Sequence, residues 1–302
     1  MLRTSPHLRA VLQALFVTFL WSTSWVFIKF GLADIPALTF AGLRYSLAFL
    51  CLLPFALSPQ YRVALRELSS RDWLRLMVLG LLFYTVTQGA QFVGLAYLPA
   101  ATVNLLLSFT IPVIVLLGMV TLAEWPTSRQ WVGVGLGLLG ALIYFYPAAI
   151  PTSQLFGLSV VLMGILANAG STILGRSINR AGHLTPVLVT LVSMGGGSVV
   201  LLTAGIVIQG FPNLSVANWA IIGWLALVNT AFAFTLWNHT QRTLSAMETG
   251  LINNAMLIQI PILAWLFLGE TISLRQGLGL ALAGLGIVVV QLKGKGKVSA
   301  TN

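Results

Sequence analysis

Long apolar runs alternate with short polar or turn-forming breaks along almost the whole chain. A helix needs about 20 mostly apolar residues to cross the hydrocarbon of a bilayer. Runs of that kind, divided by breaks such as Ser58-Pro59-Gln60, Leu98-Pro99-Ala100 and Phe211-Pro212-Asn213, occur ten times. They predict helices near residues 10–30, 36–56, 73–96, 101–121, 130–147, 155–175, 184–208, 217–239, 247–268 and 274–292. The first run contains Trp21 and Trp25, lacks a small-residue cleavage site and leads straight into further runs, so it reads as a span and not as a removed signal. The breaks are too short to hold an inserted soluble domain. The predicted fold class is an all-α integral membrane protein.

Composition sharpens this picture. Of 302 residues, 58% are hydrophobic and only 7% charged, against about 25% charged in an ordinary soluble domain. That excludes a soluble globule, a disordered chain and a secreted disulfide scaffold. The lone Cys51 sits in an apolar run and reads as a buried thiol. The net charge of +10 comes from 16 basic and 6 acidic residues, and in an apolar chain it describes loops at an anionic membrane surface, not a nucleic-acid footprint. With the N-terminus in the cytoplasm, thirteen basic residues (Arg3, Arg9, Arg62, Arg66, Arg71, Arg75, Arg129, Arg176, Arg180, Arg242, Lys293, Lys295 and Lys297) fall on the cytoplasmic side, and only Lys29 and Arg275 toward the other. Positive-inside bias therefore predicts cytoplasmic N- and C-termini and a cell (inner) membrane location. Residues 293–302 form a basic cytoplasmic tail that suits anionic head groups.

The chain also repeats itself. An ungapped offset of 146 residues brings Trp73 onto Trp219, Leu98 onto Leu244, Ala100 onto Ala246, Glu124 onto Glu270, Arg129 onto Arg275, Gln130 onto Gln276, Gly133 onto Gly279 and Gly140 onto Gly286. Two halves follow, 10–147 and 155–292, with five predicted spans each. Because five is odd, the second half inserts upside down relative to the first, giving two inverted five-helix repeats. That architecture serves alternating access in many carriers.

The same residues carry a resemblance. Leu-x-Ala at 98–100 and 244–246, spans ending in Leu122-Ala123-Glu124 and Leu268-Gly269-Glu270, and Gly-rich closing spans that begin Arg-Gln at 129 and 275 resemble the EamA domain. The opening segment Trp21-Ser22-Thr23-Ser24-Trp25-Val26-Phe27-Ile28-Lys29 is similar to that family's, with Ser22 where a Gly is common. Two such units in tandem resemble the drug/metabolite transporter superfamily. The resemblance implies a ten-span exporter of amino acids, aromatic compounds or other metabolites, and it specifies substrate poorly.

Polar side chains within spans are costly, and they mark helix contacts or a water-filled path. Gln88 and Gln91, Asn104, Asn168, Asn229, Asn253 and Asn254 are neutral amides placed in or near the middle of predicted spans, as is Gln259. Amides donate and accept, which suits a zwitterionic or uncharged polar solute. Trp21, Trp25, Tyr84, Phe232 and Trp237 add deep aromatic surface. Rigid aromatic walls with a few amides are what a pocket for a small amphipathic solute requires. These twelve residues, Gln259 excepted, are the predicted substrate-binding set. Trp73, Trp125, Trp131 and Trp219 read as interfacial anchors.

Arg44 is the single charge well inside a span, and a structural role toward carbonyls or polar neighbours is preferred there over reception of a substrate carboxylate. Lys29 is expected to snorkel to head groups. Glu124 and Glu270 are expected to form loop or cap ion pairs with Arg129 and Arg275. Glu248 and His239 lie near the cytoplasmic face, so no deep acid supports proton coupling, and facilitated export or exchange is expected. Pro112 and Pro261 should kink their spans. The Gly-rich faces of the fifth and tenth spans should pack the two halves together.

No HExxH, paired intramembrane carboxylates, Cys-His cluster or nucleophile elbow occurs. No catalytic residue, metal ligand or cofactor is predicted, and an enzyme ranks last. The expected protein is an alternating-access transporter, working as a monomer among membrane lipids. Its substrate is a small molecule, amino acids or similar amphipathic solutes first, ahead of sugar- or nucleotide-linked metabolites and drug-like cations.

Overall fold

In hydrocarbon every backbone N–H and C=O has to find its partner within the chain, which makes continuous helix the stable form of each apolar run. The computed structural model describes residues 6–56, 58–122, 126–146, 151–181, 184–240, 243–244 and 252–291, and among them all regular structure is helical. In chain order these are α1 (Pro6–Gly31), α2 (Ala37–Ala56), α3 (Pro59–Arg66), α4 (Ser70–Tyr97), α5 (Ala100–Ser108), α6 (Thr110–Leu122), α7 (Ser128–Phe145), α8 (Thr152–Ala181), α9 (Pro186–Gln209), α10 (residues 216–240), α11 (Met256–Leu268) and α12 (Leu274–Gln291).

Six of these segments are long and apolar enough to cross a membrane: Pro6–Gly31, Ala37–Pro54, Ser70–Tyr97, Ala100–Leu117, Thr152–Gly175 and Pro186–Gln209. Val216–Phe232, Met256–Leu268 and Leu274–Val289 are shorter apolar helices. Ser128–Phe145 is the helix of the fifth expected run, and the prolines Pro112 and Pro261 act differently on their helices. Pro112 has no N–H, and its ring meets the carbonyl four residues earlier, so helix stops at Ser108 and restarts at Thr110. Pro261, by contrast, is held within α11 without a break. Residues 245–251, where the ninth run should begin, are outside the described residues. The amphipathic α3 was not anticipated; Arg62 and Arg66 on it are exposed.

The repeat is visible in the capping residues, which satisfy the free N–H groups of each helix start. Ser69 accepts from the Asp72 N–H at 3.1 Å, and Ser215, at the equivalent position, accepts from the Asn218 N–H at 3.2 Å. Thr127 and Gln130 form a reciprocal capping box at α7, and Ser273 with Gln276 makes the same box at α12. Both members of each pair stand 146 residues apart.

Equivalent helices also pack on each other. Helices α7 and α12 are 18 residues long and cross at glycines. A β-carbon at Gly140 would lie 2.6 Å from the Ala283 nitrogen and the Gly279 oxygen, and one at Gly279 would lie 2.8 Å from the Tyr144 nitrogen. Gly286 meets Gly133 and Gly137 in turn. Higher numbers on α7 thus meet lower numbers on α12, so the pair is antiparallel, and Gly133 and Gly140 face the counterparts of each other. Helices α2 and α9 pair in the same sense. The Leu38 N–H donates to Gln209 Oε1 at 2.7 Å and the Thr39 hydroxyl to the Gly210 carbonyl at 3.0 Å, while Gly42 lies against Leu202.

Around these pairs a continuous core runs through α1, α2, α4, α8, α9 and α10, with Phe40 and Phe92 in edge-to-face contact at 5.2 Å inside it. The outer face carries Phe16, Phe19, Val207, Ile208, Trp265, Leu266 and Phe267 uncovered. So broad an apolar surface is stable only against lipid.

Candidate functional site

Helices α4 and α10 each open by one residue per turn in the middle. Leu81–Thr87 and Leu227–Phe232 are π-helical, and their starts are 146 residues apart. Single π turns recur at functional sites because the inserted residue turns every later side chain by about 100° around the axis. A threonine mends each wide turn: Thr87 Oγ1 donates to the Leu82 carbonyl and Thr230 Oγ1 to the Leu225 carbonyl, both at 2.8 Å. Beyond the wide turns, Gln88 and Gln91 on α4 and Phe234 and Trp237 on α10 face a common space. Position 88 corresponds to 234, and 91 to 237, at the repeat offset. The two halves therefore present the same two positions, filled with amides in one and with rings in the other.

That space is a cavity of about 740 Å³ between the halves. Its aromatic wall is Trp21, Trp25, Phe83, Phe234 and Trp237, and its polar wall is Arg44, Tyr45, Gln88, Gln91 and Asn253, with Ser24, Leu244 and Met256 between them. The rings brace one another: Trp21 lies 5.0 Å from Trp237 and 5.2 Å from Phe234, centroid to centroid. The Trp21 indole N–H donates to the Asn229 carbonyl at 3.1 Å, which ties α1 to the wide turn of α10. On the polar wall the Tyr45 hydroxyl donates to Gln88 Oε1 at 2.6 Å. Gln91 has no hydrogen-bond partner among the described residues, so both of its amide groups are available to a solute.

The predicted binding residues divide by position. Trp21, Trp25, Gln88, Gln91, Trp237 and Asn253 border the cavity. Tyr84 stands behind it, 5.5 Å from the Tyr45 ring and 4.9 Å from Phe83. Asn104, Asn168 and Asn229 are spent on contacts between the halves: Asn104 donates to the Met256 carbonyl at 3.2 Å, Asn168 to the Thr110 hydroxyl at 3.3 Å, and Asn229 to the Leu20 carbonyl and the Thr23 hydroxyl. Gln259 does the same against Ser22 and Thr18 of α1. Asn254 is half-buried in the turn before α11 and does not border the cavity. Phe232, the last residue of the wide turn, is half-exposed on the outer surface, because a step of two residues to Phe234 carries the side chain to roughly the other side of the helix. Tyr45, Phe83, Phe234, Leu244, Met256, Ser24 and Arg44 complete the lining without having been singled out as binding residues. Sequence spacing could have found Phe234, as the repeat counterpart of Gln88.

Two charged residues tie helix ends together outside the cavity. Lys29 does not reach for head groups; its Nζ donates to the Leu98 carbonyl at 2.7 Å. Glu270 is not paired with Arg275 among the described ion pairs. Its carboxylate accepts from the Ala100 N–H at 2.6 Å and the Ala101 N–H at 3.2 Å, capping the start of α5. Leu98, Ala100 and Ala101 are buried and lie outside the cavity. Glu124, Arg242 and Glu248 fall outside the described residues, and no group of His, Cys, Asp and Glu suited to a metal occurs among the described ones.

Comparison with known proteins agrees with this geometry. The EamA-like transporter family matches residues 8–146 and again 155–292. The chain belongs to that family. An uncharacterized transporter YoaV of Bacillus subtilis is 25% identical over 283 residues, covering 90% of this chain and 92% of its own. The uncharacterized inner membrane transporter YedA of Escherichia coli is 26% identical across 77% of this chain and 74% of its own. An S-adenosylmethionine/S-adenosylhomocysteine transporter of Chlamydia trachomatis is 24% identical across 84% of this chain and 80% of its own. A protein known from its crystal structure shares the fold at a TM-score of 0.66 and 16% identity, over 93% of this chain and 97% of that one. This EamA-family chain is thus a multi-pass membrane transporter of the drug/metabolite transporter superfamily.

Proposed function

We propose that the protein carries small amphipathic metabolites, amino acids foremost, out of the cell or in exchange across the inner membrane, by alternating access through the cavity between its halves. The observation that carries this reading is the divided wall: equivalent positions on equivalent helices offer amides on one side and aromatic rings on the other. A solute with a polar head and an apolar body satisfies both walls at once, and 740 Å³ falls within the range of small-ligand sites. Antiparallel packing of equivalent helices supports ten spans in two inverted repeats, with residues 10–147 and 155–292 exchanging roles as the carrier turns over. With both termini in the cytoplasm, the end held by Lys29 and Glu270 faces away from it, and the cavity at Leu244 and Asn253 faces toward it. The single chain contains both halves of the site and works as a monomer in lipid. No described acid lines the cavity, which favours facilitated export or exchange over proton coupling.

The substrates for which the Chlamydia relative is named favour a second reading, an amino acid bearing a nucleoside, whose base would stack on the Trp21–Trp237 wall. Counterflow of labelled solutes into proteoliposomes tests both. Saturable, self-exchanging uptake of an amino acid supports the first reading, and preference for a nucleoside-bearing amino acid supports the second. No flux with any amino acid, nucleoside or neutral metabolite in the panel overturns both.

A further inference from the structure

Arg44 borders the cavity and is 4% exposed. A guanidinium presents five N–H donors and never gives up its charge, so burying one without a counter-ion is strongly unfavourable. Here the charge is only half provided for. Nε donates to Thr230 Oγ1 at a long 3.3 Å, and the Tyr45 and Phe92 rings lie 5.1 Å and 5.9 Å from Cζ, covering its faces. Neither Nη group has a hydrogen-bond partner among the described residues, and neither is sealed off from open space. No Asp or Glu among the described residues lines the cavity. Beside Arg44, Tyr45 occupies the Gln88 oxygen and leaves the Gln88 amide N–H groups as donors. Around Arg44 the polar wall therefore offers hydrogen-bond donors beside a cation that no described acid compensates.

We infer that Arg44 is the receptor for a carboxylate on the transported solute, so that the substrate class is monocarboxylates with an apolar or aromatic body and not cationic drugs. The planar fork of free Nη groups matches a carboxylate in two parallel hydrogen bonds. Gln88 adds a third donor, and the rings of Trp21, Trp25 and Trp237 take the body of the solute. The solute supplies the counter-ion that no described acid provides, which makes loading a step that lowers the energy of a buried charge. This assignment rests on the transport reading above and narrows it.

The test pairs each of two acids, L-phenylalanine and 3-phenylpropionate, with its own carboxamide and measures equilibrium binding to the purified full-length chain. The acids are expected to bind about tenfold or more tightly than the amides, as a charge-assisted hydrogen bond implies. Arg44→Lys is expected to keep part of that preference and Arg44→Gln to abolish it, while Trp25→Ala weakens acid and amide alike. A purely structural arginine would leave the acid-to-amide ratio unchanged. Equal affinity for acid and amide, an acid preference that survives Arg44→Gln, or no binding of either acid overturns the assignment. If Arg44→Gln does not fold, the unmodified protein and Arg44→Lys still decide the question. The broader reading fails by a different result, the absence of counterflow for every solute, neutral ones included.

Discussion

Asn229 and Gln88 are both amides buried within the membrane-spanning part of the chain, yet they do different work. Asn229 is fully buried, donates to Leu20 and Thr23, and leaves its own Oδ1 without a partner. Its energy goes into holding α10 against α1. Asn229→Ala is expected to lower stability by about 1 kcal/mol, the scale of a hydrogen bond between membrane helices. A fall in the thermal unfolding midpoint in detergent would register it, and Phe232→Ala on the outer surface should leave that midpoint in place. Gln88 keeps its N–H groups free of protein partners at the cavity, and Trp25 borders the same cavity with a ring otherwise buried in the core. Gln88→Ala and Trp25→Ala are each expected to cut counterflow about tenfold; the thermal midpoint should stay near that of the unmodified protein for Gln88→Ala and fall for Trp25→Ala, whose ring is also part of the buried core. Normal flux in both variants would remove them from the solute path.

At the scale of elements, the decisive contacts are between helices that occupy the same place in the two halves. The crossing of α7 and α12 puts backbone on backbone at Gly140 and Gly279, where no β-carbon fits. Gly140→Leu is expected to destabilise the protein by about 2–3 kcal/mol through forced separation of the pair. Gly135→Leu, one and a half turns away, meets nothing within 4 Å and should be silent. The contrast in unfolding midpoint between the two variants measures the packing directly, and similar midpoints would refute it. The paired π turns have an equally specific consequence. They decide that positions 88 and 91, and 234 and 237, face inward while Phe232 faces out, so a substrate site that uses neither α4 nor α10 would leave those turns without a function.

Across the whole molecule, the two halves meet in an open cavity toward one end and in a polar clasp at the other. The clasp joins α1, α5 and the segment after α11 through Lys29, Leu98, Ala100, Ala101 and Glu270. A charged acceptor on backbone N–H groups is stronger than a neutral one by about 1–2 kcal/mol. Glu270→Gln keeps the shape and loses the charge, so amide hydrogen exchange at Ala100 and Ala101 is expected to quicken by about tenfold. Unchanged exchange at both amides would show that the carboxylate does not hold this end. The recurrence of Leu-x-Ala and of a terminal Glu in both halves thus has a mechanical meaning among the described residues: Leu98 offers its carbonyl to Lys29, and Ala100 offers its N–H to Glu270.

Linear order was enough for much of this. The length of the apolar runs, the cap residues, the 146-residue repeat and the family follow from local chemistry, because each depends on residues near one another in the chain or on a pattern that survives without a fold. Trp21, Trp25, Gln88, Gln91, Trp237 and Asn253 could be picked out as polar or aromatic residues deep in apolar runs, and they border the cavity. Depth alone, however, does not say which way a side chain turns. Two π turns, invisible to a period of 3.6, set the azimuth of α4 and α10, and that is why Phe234 and not Phe232 lines the wall. Nor does depth distinguish an amide that bridges helices, such as Asn104 or Asn168, from one that faces a solute. That depends on what stands 3 Å away on a helix more than fifty residues distant, as does the charge of Arg44, which no described acid pairs. Only the tertiary structure brings those partners into view.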